Sequence, residues 1–303
     1  MPRTFYGPYG EQNSTYANAG NANLGRFPLG HTLILPDGRE YKFTLNDGTV
    51  EIAGNLYQSV ASVADHFNTT ADVVRAIGAT AISSTLGATA AAIDIYAEGV
   101  VHVNDEVGEG YSYRIRRAMT AGNAHAAAAT SSVLTVNLEA GESVQVALTT
   151  ASNVSYTRNR YHRATIHVGP PTATLTGVSP GVAALDRFYW SQVKGYGAVL
   201  ANLVPLAGLP VQASIDINGA VETLKRRVQT AGTTVAGSAA ASAFVAVTDQ
   251  DGNTVGLFIG SGTATVTGIF DISGGIALNA PQVGLCVKAN ASTEFALIDL
   301  NIQ

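Results

Sequence analysis

The sequence predicts a mainly β fold with two or more sandwich-like or barrel-like domains, a short helical segment and an extended N-terminal arm. Short apolar stretches recur along the chain, and turns rich in Gly, Asn and Asp separate them. Such short, regularly spaced strands are typical of sandwiches and barrels. The composition agrees, because 32 residues are glycine and only 13% are charged, against roughly 25% in an average globular domain.

Composition and turn signals divide the chain into four segments. Pro170 and Pro171 mark the last boundary, because consecutive prolines interrupt a strand ladder. The predicted segments are an extended arm over 1–30, hairpins plus short helices over 31–83, a β domain over 84–169 and a C-terminal β domain over 170–303.

The arm over 1–30 is rich in Gly, Asn, Tyr and Pro and has neither helical nor strand periodicity. By itself such a segment cannot bury enough apolar area to offset the entropy of ordering it. Two ways of holding it remain open. The arm drapes over a neighbouring subunit, or it docks onto its own domain.

Residues 31–52 predict two consecutive hairpins. An apolar stretch, His31–Leu35, ends at the turn Pro36–Gly38, and Tyr41–Leu45 then alternates apolar and polar residues. A second turn, Asn46–Gly48, precedes the apolar residues of Val50–Ile52. Period-two alternation bounded by Asp-Gly turns indicates antiparallel pairing.

Residues 58–78 are the helical segment. Four apolar residues fall on one helical face at three- and four-residue spacing: Val60, Val63, Ala64 and Phe67. Thr69 with Asp72 predicts the cap of a second short helix that runs through Ile77 and closes at Gly78.

Strands dominate the rest of the chain. They are predicted at Ile93–Val103, Tyr111–Arg116, Val133–Leu138, Val144–Leu148, Phe188–Lys194, Ala198–Leu203, Phe244–Thr248, Val255–Ile259, Ala264–Ile269 and Phe295–Ile302. The turn Asp249–Asn253 predicts a hairpin. Trp190 is expected to anchor a core, with Gly195 and Gly197 allowing a bend or a close approach of another backbone beside it. The last strand is apolar on both faces, so we expect it to be covered on both.

Charge and cysteine content exclude several functions. The net charge of −5 argues against a sequence-independent nucleic-acid binder. The single cysteine, Cys286, excludes an intramolecular disulfide and a multi-cysteine zinc site, and its apolar neighbours predict burial. The N-terminus lacks a secretory signal pattern, and no apolar stretch of about 18 residues exists, so we expect no membrane contact.

No enzyme motif was found. Gly-x-Ser-x-Gly, the phosphate-binding loop and His-Glu-x-x-His are all missing from the sequence. The histidines are scattered, and the only close pair, His162 and His167, would point to opposite faces of a strand. We therefore expect a protein that is not an enzyme, and assign no catalytic, cofactor-binding or metal-binding residue.

The sharpest charged features are three basic clusters. The first is Arg158, Arg160 and Arg163 with His162, interleaved with Tyr156 and Tyr161; the second is Arg114, Arg116 and Arg117; the third is Lys225, Arg226 and Arg227. Two interpretations stay open. The clusters are solvated strand faces, or they dock acidic patches of a partner protein, where arginine forks fix orientation.

Several stretches, taken in order, resemble a family of virion structural proteins of tailed bacteriophages. They are Gly54–Ser59, Leu86–Thr89 through Tyr96–Gly99, Val101–Asp105, Gly108–Ile115, Phe188–Gly195, Val283–Leu285 and Glu294–Leu300. The resemblance covers residues 31–303 apart from parts of 215–270. Each motif is only moderately specific, and their order is the better signal.

The resemblance implies a decoration (cement or head-fibre-like) protein, often trimeric, bound outside the capsid shell. We therefore expect partners to be the major capsid protein and further copies of the chain as a homotrimer. The expected location is the capsid surface of the virion, after assembly in the host cytoplasm. The candidate capsid-docking residues are Arg114, Arg116, Arg117, Arg158, Arg160 and Arg163.

The alternative is a head-fibre or tail protein that recognises a host-surface glycan. Tyr111, Tyr156 and Tyr161 would stack on sugar rings in that case. Direct contact with packaged nucleic acid is not expected, since the chain is acidic.

Overall fold

The computed structural model confirms a mainly β protein. It describes residues 4–17, 27–117, 124–224, 243–248, 254–259, 281–291 and 293–302, the two stretches 243–248 and 254–259 by backbone alone. Two compact units are present: Met1–Thr223 with Ala280–Gln303, and Leu224–Asn279.

The strands are numbered in chain order. In the first half they are β1 (Thr4–Tyr6), β2 (Tyr16–Ala17), β3 (Thr32–Ile34), β4 (Glu40–Leu45), β5 (Leu56–Gln58), β6 (Thr69–Thr70), β7 (Ala81–Thr85), β8 (Val100–Asp105), β9 (Ser112–Arg114) and β10 (Val133–Asn137). In the second half they are β11 (Asn153–Thr157), β12 (Thr165–Ile166), β13 (Leu175–Val178), β14 (Arg187–Leu200), β15 (Pro210–Ala213), β16 (Val221–Thr223), β17 (Ala243–Thr248), β18 (Thr254–Ile259), β19 (Gln282–Lys288) and β20 (Phe295–Asn301). Among the described residues there are also two 3-10 helices, Glu11–Asn13 and Ala64–His66.

The largest sheet is organised around β14, which has 14 residues. Its first half pairs with β4 and its second half with β20, both antiparallel. The register shifts between Gln192 and Lys194, and Gly195 follows with φ +83°, a conformation that glycine adopts at little cost. The sequence therefore placed the bend correctly, but the two strands predicted around it are one continuous strand.

Two separate cores lie against this sheet. Trp190 is fully buried in the first, with the Phe43 ring edge-on at 4.9 Å and Phe27 at 5.2 Å. The second is aliphatic, and Val199, Ile298 and Leu300 are fully or almost fully buried in it. Trp190 thus anchors a core as predicted, and Cys286 is buried as expected.

A third core lies between the smaller sheets, β6-β11-β8-β9 and β7-β10. Tyr96 and Tyr156 are at its centre, with ring centroids 5.4 Å apart. Strand β7 pairs with β10 and β11 with β8, so this core is formed mainly from residues 82–156.

Part of the predicted arm docks onto its own chain. Within the described residues 4–17, β1 pairs in parallel with β3, and β2 pairs with the start of β14. Phe5 packs on Phe27, which contacts Trp190. Of the two expected ways of holding the arm, docking onto its own domain is the one observed for these residues.

The helical prediction for 58–78 is wrong apart from the 3-10 turn Ala64–His66. The described part of the chain contains no α-helix. A short helix needs its apolar stripe buried by other elements, but Ala64 is exposed and Phe67 is 39% exposed. The Thr69 hydroxyl, predicted as a cap, instead donates to the Val154 carbonyl at 2.9 Å as part of β6.

The predicted strands are confirmed at β9, β10, β14, β17, β18 and β20, whose partners lie both near and far in the sequence. The hairpin β3–β4 and the pair β17–β18 are confirmed, although the turn at 249–253 and the predicted strand 264–269 lie outside the described residues. The strand predicted at Ile93–Val103 is present only from Val100, because residues 93–98 form turns with Asp94 and Glu98 at positive φ. The strand predicted at 144–148 is wrong, since these residues carry only a bridge from Leu148 to Arg75. The second hairpin fails too, because Glu51 bridges to Ala183.

Strand pairing joins segments that the domain prediction separates. β12 and β13, on either side of Pro170 and Pro171, both pair with β5. The partners of β14 likewise come from residues 16–45 and 295–301. The large sheet therefore draws on both ends of the chain.

Removal of the central aromatic should destabilise the protein strongly. We expect Trp190→Ala to lower the free energy of unfolding by about 3–5 kcal/mol, since it leaves a large cavity among packed rings. Chemical denaturation measures this. The matched control is Tyr6→Ala at a 76% exposed ring, which should cost under about 0.5 kcal/mol; equal losses would contradict the assignment of the core.

Candidate interaction surfaces

The second predicted basic cluster converges on a buried carboxylate. Glu98 lies in the turn before β8 and is only 5% exposed. Arg117 Nε is 3.1 Å from its Oε1, and Arg114 Nη2 is 3.6 Å from its Oε2. The Leu29 N–H donates to the same Oε2 at 2.8 Å. These contacts join the end of the N-terminal segment to the turn before β8.

Burial dominates the electrostatics of Glu98. It raises the pKa of this carboxyl to about 7, although Arg117, the Leu29 N–H and Arg114 all favour the charged form. Arg117 Nη2 also donates to the Phe27 carbonyl at 3.0 Å. The Arg117 side chain therefore joins the turn before β8 to the segment that contains Phe27. The side chain of Arg114 is 46% exposed, and Arg116 forms no ion pair with any residue that the structure describes.

The first basic cluster also turns towards its own chain. Arg160 donates to the Leu175 carbonyl and lies over the Tyr161 ring at 5.1 Å. Arg163 pairs with Asp186 at 3.3 Å, with 41% of its side chain exposed. Arg158 contacts the Tyr96 hydroxyl, and burial lowers its pKa. These side chains thus have intramolecular roles, and their part in docking stays a prediction.

The tyrosines expected to stack on sugars do not share a surface. Tyr156 is 1% exposed and Tyr161 is 8% exposed. Only Tyr111 is open to solvent, at 42%, and it stacks on the buried Tyr113. The aromatic surface predicted for glycan binding is therefore not assembled from these three residues.

The third basic cluster, at 225–227, lies outside the described residues. Across the part of the chain that the structure describes, no group of three or more His, Cys, Asp or Glu side chains could hold a metal ion. His162 and His167 do not meet; His167 is instead buried against Ser214 and Gly219.

A buried Ser, His and Glu do come together beside β16, and sequence reasoning did not find them. Glu222 is fully buried and accepts from Asn202 Nδ2 at 3.1 Å and Gln212 Nε2 at 3.0 Å. Ser214 Oγ lies 3.4 Å from the same carboxylate. No periodicity or turn signal in the sequence pairs these residues.

Their geometry suits a structural role. His167 Nε2 donates to the Ser214 carbonyl at 3.0 Å, and its Nδ1 accepts from the Gly219 N–H at 2.8 Å. Both ring nitrogens are therefore engaged with the backbone, so the ring is not placed to take a proton from the Ser214 hydroxyl. The network closes the turn between β15 and β16.

An open apolar surface lies on three strands of the large sheet, β14, β20 and β19. We call it the outer face, and it consists of Tyr196, Leu285, Val287, Phe295 and Leu297, each 38–59% exposed. Tyr196 and Leu285 stand on either side of Asp299, and Leu297 is opposite Lys288. The inner faces of the same strands carry the buried Val199 and Ile298.

The loop before β15, which is hydrogen-bonded to β19, also carries exposed apolar side chains. Leu203, Val204, Leu206 and Leu209 are 42–58% exposed. The loop is fixed to β19, because the Gly208 N–H donates to the Cys286 carbonyl at 2.7 Å and the Cys286 N–H donates to the Leu209 carbonyl at 2.9 Å. Monomeric proteins rarely expose contiguous apolar patches larger than several hundred Å².

Two grooves border Tyr196 on the outer face. One has a volume of 850 Å³ and includes Lys194, Leu285 and Asp299 in its lining. The other has a volume of 310 Å³ and runs past Gly54 and Phe295. The outer face is therefore contoured as well as apolar.

Comparison of the chain with family models, curated proteins and solved structures found no match. Among the described residues, no helix has the length and apolar character needed to cross a membrane.

Glu51, which forms a β-bridge with Ala183, is an unusual buried acid. Glu51 is fully buried, and neither of its carboxylate oxygens has a hydrogen-bond partner of good geometry among the described residues. Burial raises the pKa of this carboxyl from 4.5 to about 8, and the nearby Tyr57 hydroxyl offsets only part of the rise. At neutral pH the group is therefore largely protonated.

This acid should make stability depend on pH. Between pH 4.5 and 8 the folded state holds a proton on Glu51 that the unfolded state has lost. The contribution of Glu51 to stability should therefore fall as pH rises through that window, by up to about 1.4 kcal/mol per pH unit, and level off above it. Denaturation at several pH values measures the slope.

Glu51→Gln should flatten that slope, because the amide does not titrate. The matched control is Glu106→Gln, at an exposed acid, which should keep the wild-type pH profile. An unchanged profile in Glu51→Gln would contradict the role of this group.

Proposed function

We propose that the chain is a structural protein of a tailed-bacteriophage particle, which binds the outside of the capsid shell and stabilises it as a decoration protein. Its partners are the major capsid protein and further copies of itself, as a homotrimer. It is not an enzyme, and its place is the capsid surface after assembly in the host cytoplasm.

The observation that carries the proposal is the outer face with its adjoining loop. A surface with this many half-exposed large apolar side chains is typical of a protein that works by association. The low content of charged residues, 13%, points the same way. The ordered series of motifs that resembles a family of virion proteins supports the capsid as the place of association.

The mechanism is stabilisation by binding to the assembled state. A protein that binds the intact shell and not its separated subunits shifts the equilibrium towards the shell. Contacts repeated over many copies, and over several chains of one oligomer, add to this through their high effective concentration. No covalent step is needed.

Of the six candidate docking arginines, Arg114 and Arg116 are the best placed to reach a partner. Arg114 is 46% exposed on β9, and Arg116 follows two residues later. Arg117 and Arg160 are committed to intramolecular contacts. Acidic patches on the capsid protein would match this cluster, giving orientation and a salt-dependent association rate.

The first test is co-sedimentation with bare capsid shells. We expect saturable binding, and decorated particles should release their DNA at a higher temperature than particles without the protein. A protein that ignores shells and instead labels intact host cells would replace this proposal with host-glycan recognition.

The arginine variant tests the docking residues. We expect Arg114→Gln with Arg116→Gln to weaken shell binding by about 10-fold, because two charge-assisted contacts are lost. Arg117 is left in place to keep Glu98 paired. The matched control, Arg114→Lys with Arg116→Lys, keeps the charge and should bind more tightly than the glutamine variant; equal affinities would contradict docking through this cluster.

A further inference from the structure

We infer that the outer face binds the same face of a second copy of this chain. The inference goes beyond the proposed function, because a contact between identical faces is two-fold and pairs chains in addition to the three-fold contacts of the proposed homotrimer. It rests on that proposal only in taking another copy as partner. The surfaces assigned to capsid docking, on β9, are separate from it in sequence and in strand pairing.

The alternation of β20 is the first reason. Its inward side chains, Ala296, Ile298 and Leu300, are buried, and its outward side chains include Phe295 and Leu297, which are 48% and 38% exposed. The first half of the strand, 295–298, is apolar on both sides, and such a stretch is normally covered on both. Within the described residues the fold covers one side only, so the other side is available to a partner.

The size of the surface is the second reason. The five large side chains of the outer face are each about half exposed. Together they offer on the order of 400 Å² of apolar surface. A contiguous apolar patch of that size on a single chain is often an interaction site.

Charge is the third reason, and it selects a second copy as the partner. Lys288 and Asp299 are both exposed on this face, within the apolar patch, and neither forms an ion pair with a described residue. When one face carries a base and an acid, two copies of that face can place the base of each copy opposite the acid of the other. A partner with a patch of a single sign would leave one of the two charges unmatched.

The face is also preformed. The Phe295 ring lies directly over Gly54, where a side chain would collide with it, and Gly54 has φ +77°. The Leu200 N–H donates to the Gly54 carbonyl at 2.8 Å. An aromatic held by its own chain loses little side-chain entropy on binding, which suits it as an anchor of the interface.

The test is self-association of the full-length protein, measured by light scattering and sedimentation. Protein concentrations up to about 100 μM detect a dimer with a Kd of about 100 μM or below. We expect wild-type chains to associate, and Phe295→Asp with Leu297→Asp to weaken association about 30-fold or more. The matched control is Ile77→Asp, at an apolar residue 68% exposed elsewhere, which should associate as the wild type does.

Folding of each variant is checked by circular dichroism and denaturation. If the double variant does not fold, Leu285→Asp repeats the measurement at a residue that does not lie over Gly54. A monomeric wild type would overturn the inference, as would a folded face variant that associates like the wild type.

A charge-swap experiment identifies the partner surface. Lys288→Asp and Asp299→Lys should each weaken self-association, because each places like charges opposite each other across the interface. An equimolar mixture of the two variants should associate again, since every facing pair is then of opposite sign. A mixture that stays dissociated would overturn the face-to-face pairing.

The two proposals can fail separately. Wild-type protein that associates through the outer face but ignores capsid shells would overturn the capsid proposal and support this one. Protein that binds shells as a monomer would do the reverse.

Discussion

The large sheet depends on one continuous strand, β14, which has different neighbours along its two halves. Its first half holds Trp190 among aromatic rings, and its second half holds Val199 among aliphatic side chains. The register shift before Lys194 and the positive φ of Gly195 let one strand serve both cores. Because β2, β4, β13 and β20 all pair with it, both ends of the chain meet on this strand.

The inward and outward side chains of β14 differ in burial, and the proposed function is based on this difference. Inward and outward side chains alternate along an extended strand, so Val199 packs inside while Tyr196 remains 59% exposed. Strand β20 repeats this contrast with Ile298 inside and Leu297 outside. Along the second half of β14 and along β20, one face therefore forms the core and the opposite face stays partly exposed.

Three buried glutamates show how differently one side chain can be accommodated. Glu98 is paired with arginines, and Glu222 accepts hydrogen bonds from Asn202 and Gln212. Glu51 has neither, and burial raises its pKa to about 8. Buried carboxylates are costly unless they are paired, hydrogen-bonded or protonated, and this protein uses all three solutions.

The basic clusters show why charge patterns alone did not locate a site. Arg114, Arg116 and Arg117 are neighbours in sequence, but their environments differ. Arg117 is committed to Glu98 and the Phe27 carbonyl, whereas Arg114 keeps nearly half of its side chain in solvent. A cluster read from the sequence gives the local charge. The availability of each arginine depends on carboxylates and carbonyls contributed by distant segments.

By itself, the sequence determined the features that depend on local physics. The period-two alternation and the Asp-Gly turn specified the β3–β4 hairpin, and the lone Trp190 marked a core. Tertiary structure decided whatever needed a distant partner. The helical spacing at 58–78 failed because no surface buries its apolar stripe, and Glu51 became a buried acid only because Ala183 bridges to it. The apolar pattern of β20 was visible in the sequence. The sequence did not show that the described part of the chain covers only one side of this strand, because coverage depends on how all the strands pack together.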